Sequence, residues 1–216
     1  MEYLNYANNV QRPKDTLVQL FPSPLLVSHF NDDYSNELEF IKNEPCKKDG
    51  IPKQSIDTFI LDRPELKNIH AFIKLKLKEY ATNILGTDTE MVITQSWINK
   101  LRQGESHSEH IHPNSIISGV WYPQVHEQSS SIYFLKPGEG VRFSCNVANE
   151  FNCVKFSLPV RMGELIMFPS NIMHSVSTHQ FEEDRISLSF NTWCKGSLGE
   201  IDHLTYLPFD RCVYPY

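Results

Sequence analysis

The 216-residue chain has no cysteine pair at CxxC spacing, no long run of basic residues and no apolar run near the length of a membrane span. Each absence closes off a class. Five cysteines (46, 145, 153, 194 and 212), odd in number and scattered, fit neither a disulfide framework nor a zinc knuckle, so free thiols in a reducing compartment are expected. Lys and Arg number 20 against 26 Asp and Glu, a net charge of −6, which argues against a broad nucleic-acid-binding face. Apolar runs such as Leu165-Ile166-Met167-Phe168 stop far short of a bilayer's thickness. The N-terminus, Met1 to Tyr6, lacks the basic and apolar regions of a signal peptide, so a cytoplasmic protein without membrane attachment is expected.

Repeats, low-complexity tracts and linkers are absent too, so residues 1–216 are read as one domain, with 1–16 as an N-terminal arm. A chain of this length can bury about 70% of its unfolded surface around one core. Leu17–Phe21 and Leu25–Val27, interrupted by Pro22 and Pro24, read as an early strand. Asp33–Asn43 reads as a short helix with Tyr34, Leu38 and Ile41 on one face, stopped by Pro45. A longer helix is predicted over Arg63–Leu85. Asp62 and Glu65 form a capping-box pattern, Pro64 occupies the first turn and Gly86 closes the end. Leu66, Ile69, Ile73, Leu77, Tyr80 and Ile84 make its apolar stripe, and Lys67, Lys74 and Lys78 its solvated face.

From Met91 the hydrophobic period changes to two. Strands are predicted at Met91–Leu101, Ile116–Tyr122, Ser130–Leu135, Val154–Val160, Glu164–Phe168, His174–His179 and Arg185–Trp193. Helices followed by seven or more short strands indicate an α+β chain, mainly β, built as a two-sheet sandwich or barrel.

What the sequence does have is histidine: nine in all, three of them within His107-Ser108-Glu109-His110-Ile111-His112. In an extended strand His110 and His112 share a face while Ile111 points the other way, into a core. Both can then reach one metal ion, since an imidazole nitrogen must come within about 2 Å of it. His174 follows a turn, Phe168-Pro169-Ser170-Asn171, in which Asn171 suits a left-handed backbone, and can supply a third ligand from a neighbouring strand. Further on, Arg185, Ser187 and Ser189 alternate with Ile186, Leu188 and Phe190. An inward Arg and Ser make a receptor for a carboxylate.

This set, His-x-His, then His174, then Arg185-x-Ser187, resembles the iron(II)/2-oxoglutarate-dependent oxygenases. It is most similar to their small phage and marine-bacterial branch. The phrases that carry the resemblance stand at His110–Tyr122, Gly163–His174 and Arg185–Asn191, with the core motifs over 97–193. The resemblance implies a double-stranded β-helix (jelly roll) core with the N-terminal helices packed on one sheet. It implies Fe(II), 2-oxoglutarate and O2 as the reacting set, and decarboxylation to succinate and CO2 coupled to oxidation of an unactivated C–H bond. By position, His110 and His174 would be the iron histidines, with His112 where the family usually has aspartate. Arg185 would hold the distal carboxylate of 2-oxoglutarate, with Ser187 and Tyr122 adding hydrogen bonds.

Three neutral ligands depart from the usual two-histidine, one-carboxylate set, and also suit zinc. Glu109 and His107 are alternative ligands, although alternation turns Glu109 away and His107 would need a bulge. A cupin, metal-dependent through the same three histidines, is the rival reading: Gly104 to His112 and Pro169 to His174 resemble its two motifs. The cupin glutamate is missing from Ser115–Ser118, however, and Arg185-x-Ser187 has no role there. A non-catalytic jelly-roll binding protein is a third reading. Trp97, Asn99, Trp121 and Asn191 are candidate cavity walls; His29 and His70 fall in structural segments, His126 and His203 are expected on the surface or in loops, and His179 on the surface, with a pocket wall as its alternative. The primary substrate, a small molecule or a side chain, is chosen by loops such as 124–129 and 138–153, which carry no decodable motif. A homodimer is compatible with this architecture.

Overall fold

The computed structural model describes residues 21–126, 128, 131–138 and 144–209. The expected arm (1–16) and most of the segment 17–21 lie outside the described residues. The first strand observed is β1 (Leu26–His29), followed by α1 (Ser35–Asn43). A two-residue strand, β2 (Lys53–Gln54), which no periodicity announces, precedes two 3-10 turns at Ile60–Asp62 and Pro64–Leu66.

The long helix, α2, begins at Lys67 and ends at Asn83. The capping box does not form: Leu66 is the N-cap, and no side chain caps the helix. The preceding residues are tied down otherwise. Ile60, Leu61 and Leu66 are buried, and Leu61 N–H donates to Ser96 Oγ (2.9 Å), which leaves Asp62 exposed at the surface. Burial of three apolar side chains outweighs a cap that contributes about 1 kcal/mol. At the other end Gly86 takes the left-handed conformation (φ 67°), and Thr87 N–H returns to Ala81 O (3.0 Å), as the Gly signal predicts. Ile69, Ile73, Leu77 and Tyr80 are buried as expected, whereas Ile84 stays exposed just past the helix end.

The remaining strands are β3 (Met91–Leu101), β4 (His107–His110), β5 (Ile117–Gln124), β6 (Ile132–Leu135), β7 (Lys155–Leu158), β8 (Glu164–Pro169), β9 (His174–Val176) and β10 (Arg185–Cys194). They form two antiparallel sheets, of order β1-β8-β5-β10-β3-β2 and β4-β9-β6-β7. The chain is thus mainly β, with its helices on one side.

Strand alternation decides which core each residue joins. On the outer face of the larger sheet, Ile98, Trp121, Leu165, Met167, Ile186, Leu188 and Phe190 pack against the buried stripe of α2. On the inner face, Val120, Tyr122, Ile166 and Phe168 meet Ile132 and Phe134 of the smaller sheet. Strand β5 is buried along its whole length because both its faces are covered. Trp121 therefore belongs to the helix-side core, its Nε1–H on Gly163 O (3.2 Å), and is not a cavity wall. Among the described residues no helix is long and apolar enough to cross a membrane.

Candidate metal centre

Strands β4 and β9 pair at one edge of the smaller sheet, with His110 directly opposite His174. Between His107 and His110 the register slips, so three steps on β4 match two on β9. That bulge brings the rings of His107 and His110 together, 4.2 Å between centres, where regular alternation would separate them. Glu109 is exposed, on the side that alternation predicts.

His112 reaches the centre by a different route from the one expected. Strand β4 ends at His110, so His112 lies beyond it, its backbone N–H held by Ser170 O (2.9 Å). Ile111 is 41% exposed and does not enter a core. The reason is that the chain leaves the smaller sheet after His110 and crosses to the larger one. The left-handed residue in this region is Asn114 (φ 55°), not Asn171. The 169–172 turn closes with Ile172 N–H on Pro169 O (3.0 Å), and Asn171 is not among the residues of positive φ.

The three imidazoles of His110, His112 and His174 nonetheless converge. Their ligand atoms lie within 4.8 Å of one another, and His112 and His174 are buried. Each ring is oriented by an oxygen acceptor. His110 Nδ1–H donates to Ser108 O (2.7 Å), His174 Nδ1–H to Ile172 O (2.9 Å) and His112 Nδ1–H to Asn191 Oδ1 (2.5 Å). Since the Ser108 and Ile172 carbonyls cannot donate, the neutral rings of His110 and His174 carry their proton on Nδ1 and present Nε2 with its lone pair free. Burial is the chief cause that pushes His174 down to about 3 and lowers His112, so both stay neutral and ready to ligate at ordinary pH. His107 is pushed down to about 4, first by burial and then by the charges of His110, His112 and Arg185.

Arg185, Ser187 and Ser189 point from β10 into the same cleft, with Tyr122 from β5 and Trp97 and Asn99 from β3. All three β10 side chains are buried, as alternation predicts. Arg185 lies over the Tyr122 ring, 4.9 Å from its centre, yet Nε and Nη2 of the guanidinium have no hydrogen-bond partner among the described residues. A buried cation with two unmet donors and, among the described residues, no ion-paired carboxylate is costly unless an anion completes it. Burial also lowers the Arg185 pKa and raises that of Tyr122.

A metal ion fits these residues: three neutral nitrogen donors suit a divalent transition metal and leave positions open for exogenous ligands. A dianion fits Arg185. The cleft between them is narrow, with an accessible volume of about 30 Å³.

The remaining histidines stand apart from the triad. His179 is fully buried but clasps two loops, with its Nε2 on Glu183 O (2.7 Å) and its backbone bonded to Gly104 and Glu105. His126 stacks on Phe181, and exposed His203 pairs with Glu200. His29 bridges Asn31 and Met162 O. Pro52, from the loop before β2, lines the cleft without any sequence signal. Ser118 and Ser170, which support Asn191, were also silent in the sequence, where serines at such spacings carry no pattern.

Residues 95–191 match the model of the family described as "Putative 2OG-Fe(II) oxygenase". No curated protein matches the chain. Among solved structures, the chain is similar to the non-heme α-ketoglutarate-dependent epimerase SnoN of nogalamycin biosynthesis (TM-score 0.59, 12% identity, 81% of this chain and 80% of that one). It is also similar to HygX of Streptomyces hygroscopicus, solved with nickel, 2-oxoglutarate and hygromycin B (0.56, 10%, 79% and 82%). A third is a Pseudomonas putida prolyl-4-hydroxylase (0.51, 18%, 80% and 93%). At such identities the structural likenesses show the fold, a jelly roll. The family match covers the segment that carries His110, His112, His174 and Arg185, so the part of the chain that holds the candidate site is the part that is similar to that family.

Proposed function

We propose that His110, His112 and His174 hold Fe(II) through their Nε2 atoms and that Arg185 receives the distal carboxylate of 2-oxoglutarate. Ser187 and Tyr122, on the same inner faces of β10 and β5, complete that receptor. Fe(II) held there would supply, with 2-oxoglutarate and O2, oxidative decarboxylation to succinate and CO2 coupled to hydroxylation of a substrate C–H. The observation that carries this reading is the buried Arg185 guanidinium with two unmet donors, facing the same cleft as three preset imidazoles.

The chain's own contribution is positional and electrostatic. Three neutral ligands leave the full +2 charge of the ion in place, so the site and Arg185 together attract a dianion more strongly than a site holding an aspartate would. Phe168 and Phe134, whose rings lie 4.8 and 6.2 Å from that of His174, wall off water on the β6 side. Trp97, its ring 5.8 Å from that of His112, stands on the β3 side. The primary substrate in this reading is a small molecule or a peptide side chain admitted past Trp97 and His107.

Calorimetric titration of the Ni(II)-loaded protein with 2-oxoglutarate tests the reading without turnover. Saturable binding that R185A abolishes is expected. Binding that is indifferent to Arg185, or none at all, contradicts it.

A further inference from the structure

The three imidazoles obtain their tautomers in two different ways. His110 and His174 each find an acceptor two residues upstream on their own backbone. His112 does not. Its acceptor, Asn191 Oδ1, lies 79 residues away in sequence, on β10. That oxygen is held in turn: Ser118 Oγ donates to it (3.0 Å) and accepts from Ser170 Oγ (2.8 Å), with Ser115 Oγ 2.7 Å beyond. The carbonyl of the same Ser170 accepts the backbone N–H of His112. Ring and backbone of His112 are thus gripped by one polar chain that crosses β5, the turn after β8, and β10. Ser118 and Ser170 are fully buried, so water does not compete for these bonds.

A carboxylate ligand has no tautomer to choose, whereas a histidine in the same place presents its lone pair only when its other nitrogen holds the proton. We infer that Asn191 is the positioning residue of His112: its side-chain oxygen takes the Nδ1 proton and so aims the Nε2 lone pair at the centre shared with His110 and His174. The inference rests on the triad reading above. Being neutral, Asn191 leaves His112 a neutral ligand, so the positive charge of the site is preserved for an anionic co-substrate. Of the three ligand positions, this is the one whose competence depends on a distant side chain.

The test uses metal-free full-length protein and two readouts. Ring 15N NMR assigns the tautomer, and Co(II) calorimetry gives the affinity. The wild type is expected to show His112 protonated at Nδ1. Asn191→Leu, similar in volume without an acceptor, is expected to lose that signature and about 10- to 100-fold in Co(II) affinity, the usual cost of an outer partner. Asn191→Asp, which keeps the acceptor, is expected to retain both. In a His112→Asp background, Asn191→Leu is expected to cost less than about threefold, since the pair no longer couples. A wild-type His112 protonated at Nε2 overturns the inference, and needs no variant to fold. Wild-type Co(II) binding that Asn191→Leu leaves unchanged overturns it alone, whereas no Co(II) binding by the wild type overturns the triad reading beneath it.

Discussion

His110 and His174 stand opposite each other on the β4–β9 ladder, their ring centres 4.3 Å apart, each ring fixed by a carbonyl on its own strand or turn. Backbone pairing therefore builds two-thirds of the candidate site without help from distant side chains. Replacing either residue by alanine is expected to reduce Co(II) affinity by more than the 10- to 100-fold typical of an outer partner. Calorimetry on metal-free protein checks this. Near-wild-type affinity in either variant would show that the pair is not a ligand pair.

The depressed histidines make the metal-free protein sensitive to acid. His174 and His107 sit near 3 and 4 in the folded state, and His112 is lowered as well, against 6.5 when unfolded. Between those values the unfolded chain takes up protons that the folded chain refuses. Their contribution is fully present above about pH 6.5 and is lost as pH falls towards 4, at up to about 1.4 kcal/mol per pH unit for each histidine. Urea midpoints at pH 7.5, 6 and 5 are expected to fall in that order, and less steeply in H174Q. A flat profile contradicts the burial argument.

Arg185 is buried with Nε and Nη2 unmet among the described residues, which carries a desolvation cost. Substituting Met for this buried, incompletely partnered cation is expected to raise the stability of ligand-free protein by about 1–3 kcal/mol, because the desolvation penalty disappears while volume is kept. The same variant is expected to lose all stabilisation by 2-oxoglutarate in the presence of Ni(II), since binding to the folded state alone raises stability in wild type. Paired thermal melts measure both. A destabilised R185M that still responds to 2-oxoglutarate is the contrary result.

Gly119 lies opposite Phe190 on the β5–β10 ladder, and a Cβ added there would meet the phenyl ring at 2.2 Å. Gly119→Ala is expected to destabilise by about 1–3 kcal/mol or more through overpacking, and Phe190→Leu in the same chain is expected to recover part of the loss. Urea denaturation of the two variants and their combination decides it. Additive losses would mean that the two positions do not share the space.

Patterns confined to one strand were legible in the sequence. The alternation of Arg185, Ser187 and Ser189 with Ile186, Leu188 and Phe190 separated the cleft from the helix-side core, and β3 appears with the predicted bounds of 91–101. The three histidines were legible for their spacing, but the reason given for His112 was wrong. Periodicity extends a strand through Ile111, whereas the chain departs at His110 and His112 is caught by Ser170 and Asn191. Such long-range polar partners leave no period to read. The same holds for Pro52 and for the two-residue β2, which exists only as an addition to the edge of β3. Asp62 and Glu65 failed as a cap for a related reason: Ser96, on a strand far along the chain, takes the Leu61 N–H and sets the backbone there.

The most direct measurement of the central claim is the visible spectrum of the anaerobic Fe(II)-loaded protein as 2-oxoglutarate is added. A weak metal-to-ligand charge-transfer band in the green is expected, absent in R185A and in H174A. Tight zinc binding, with no band and no response to 2-oxoglutarate, would contradict the account.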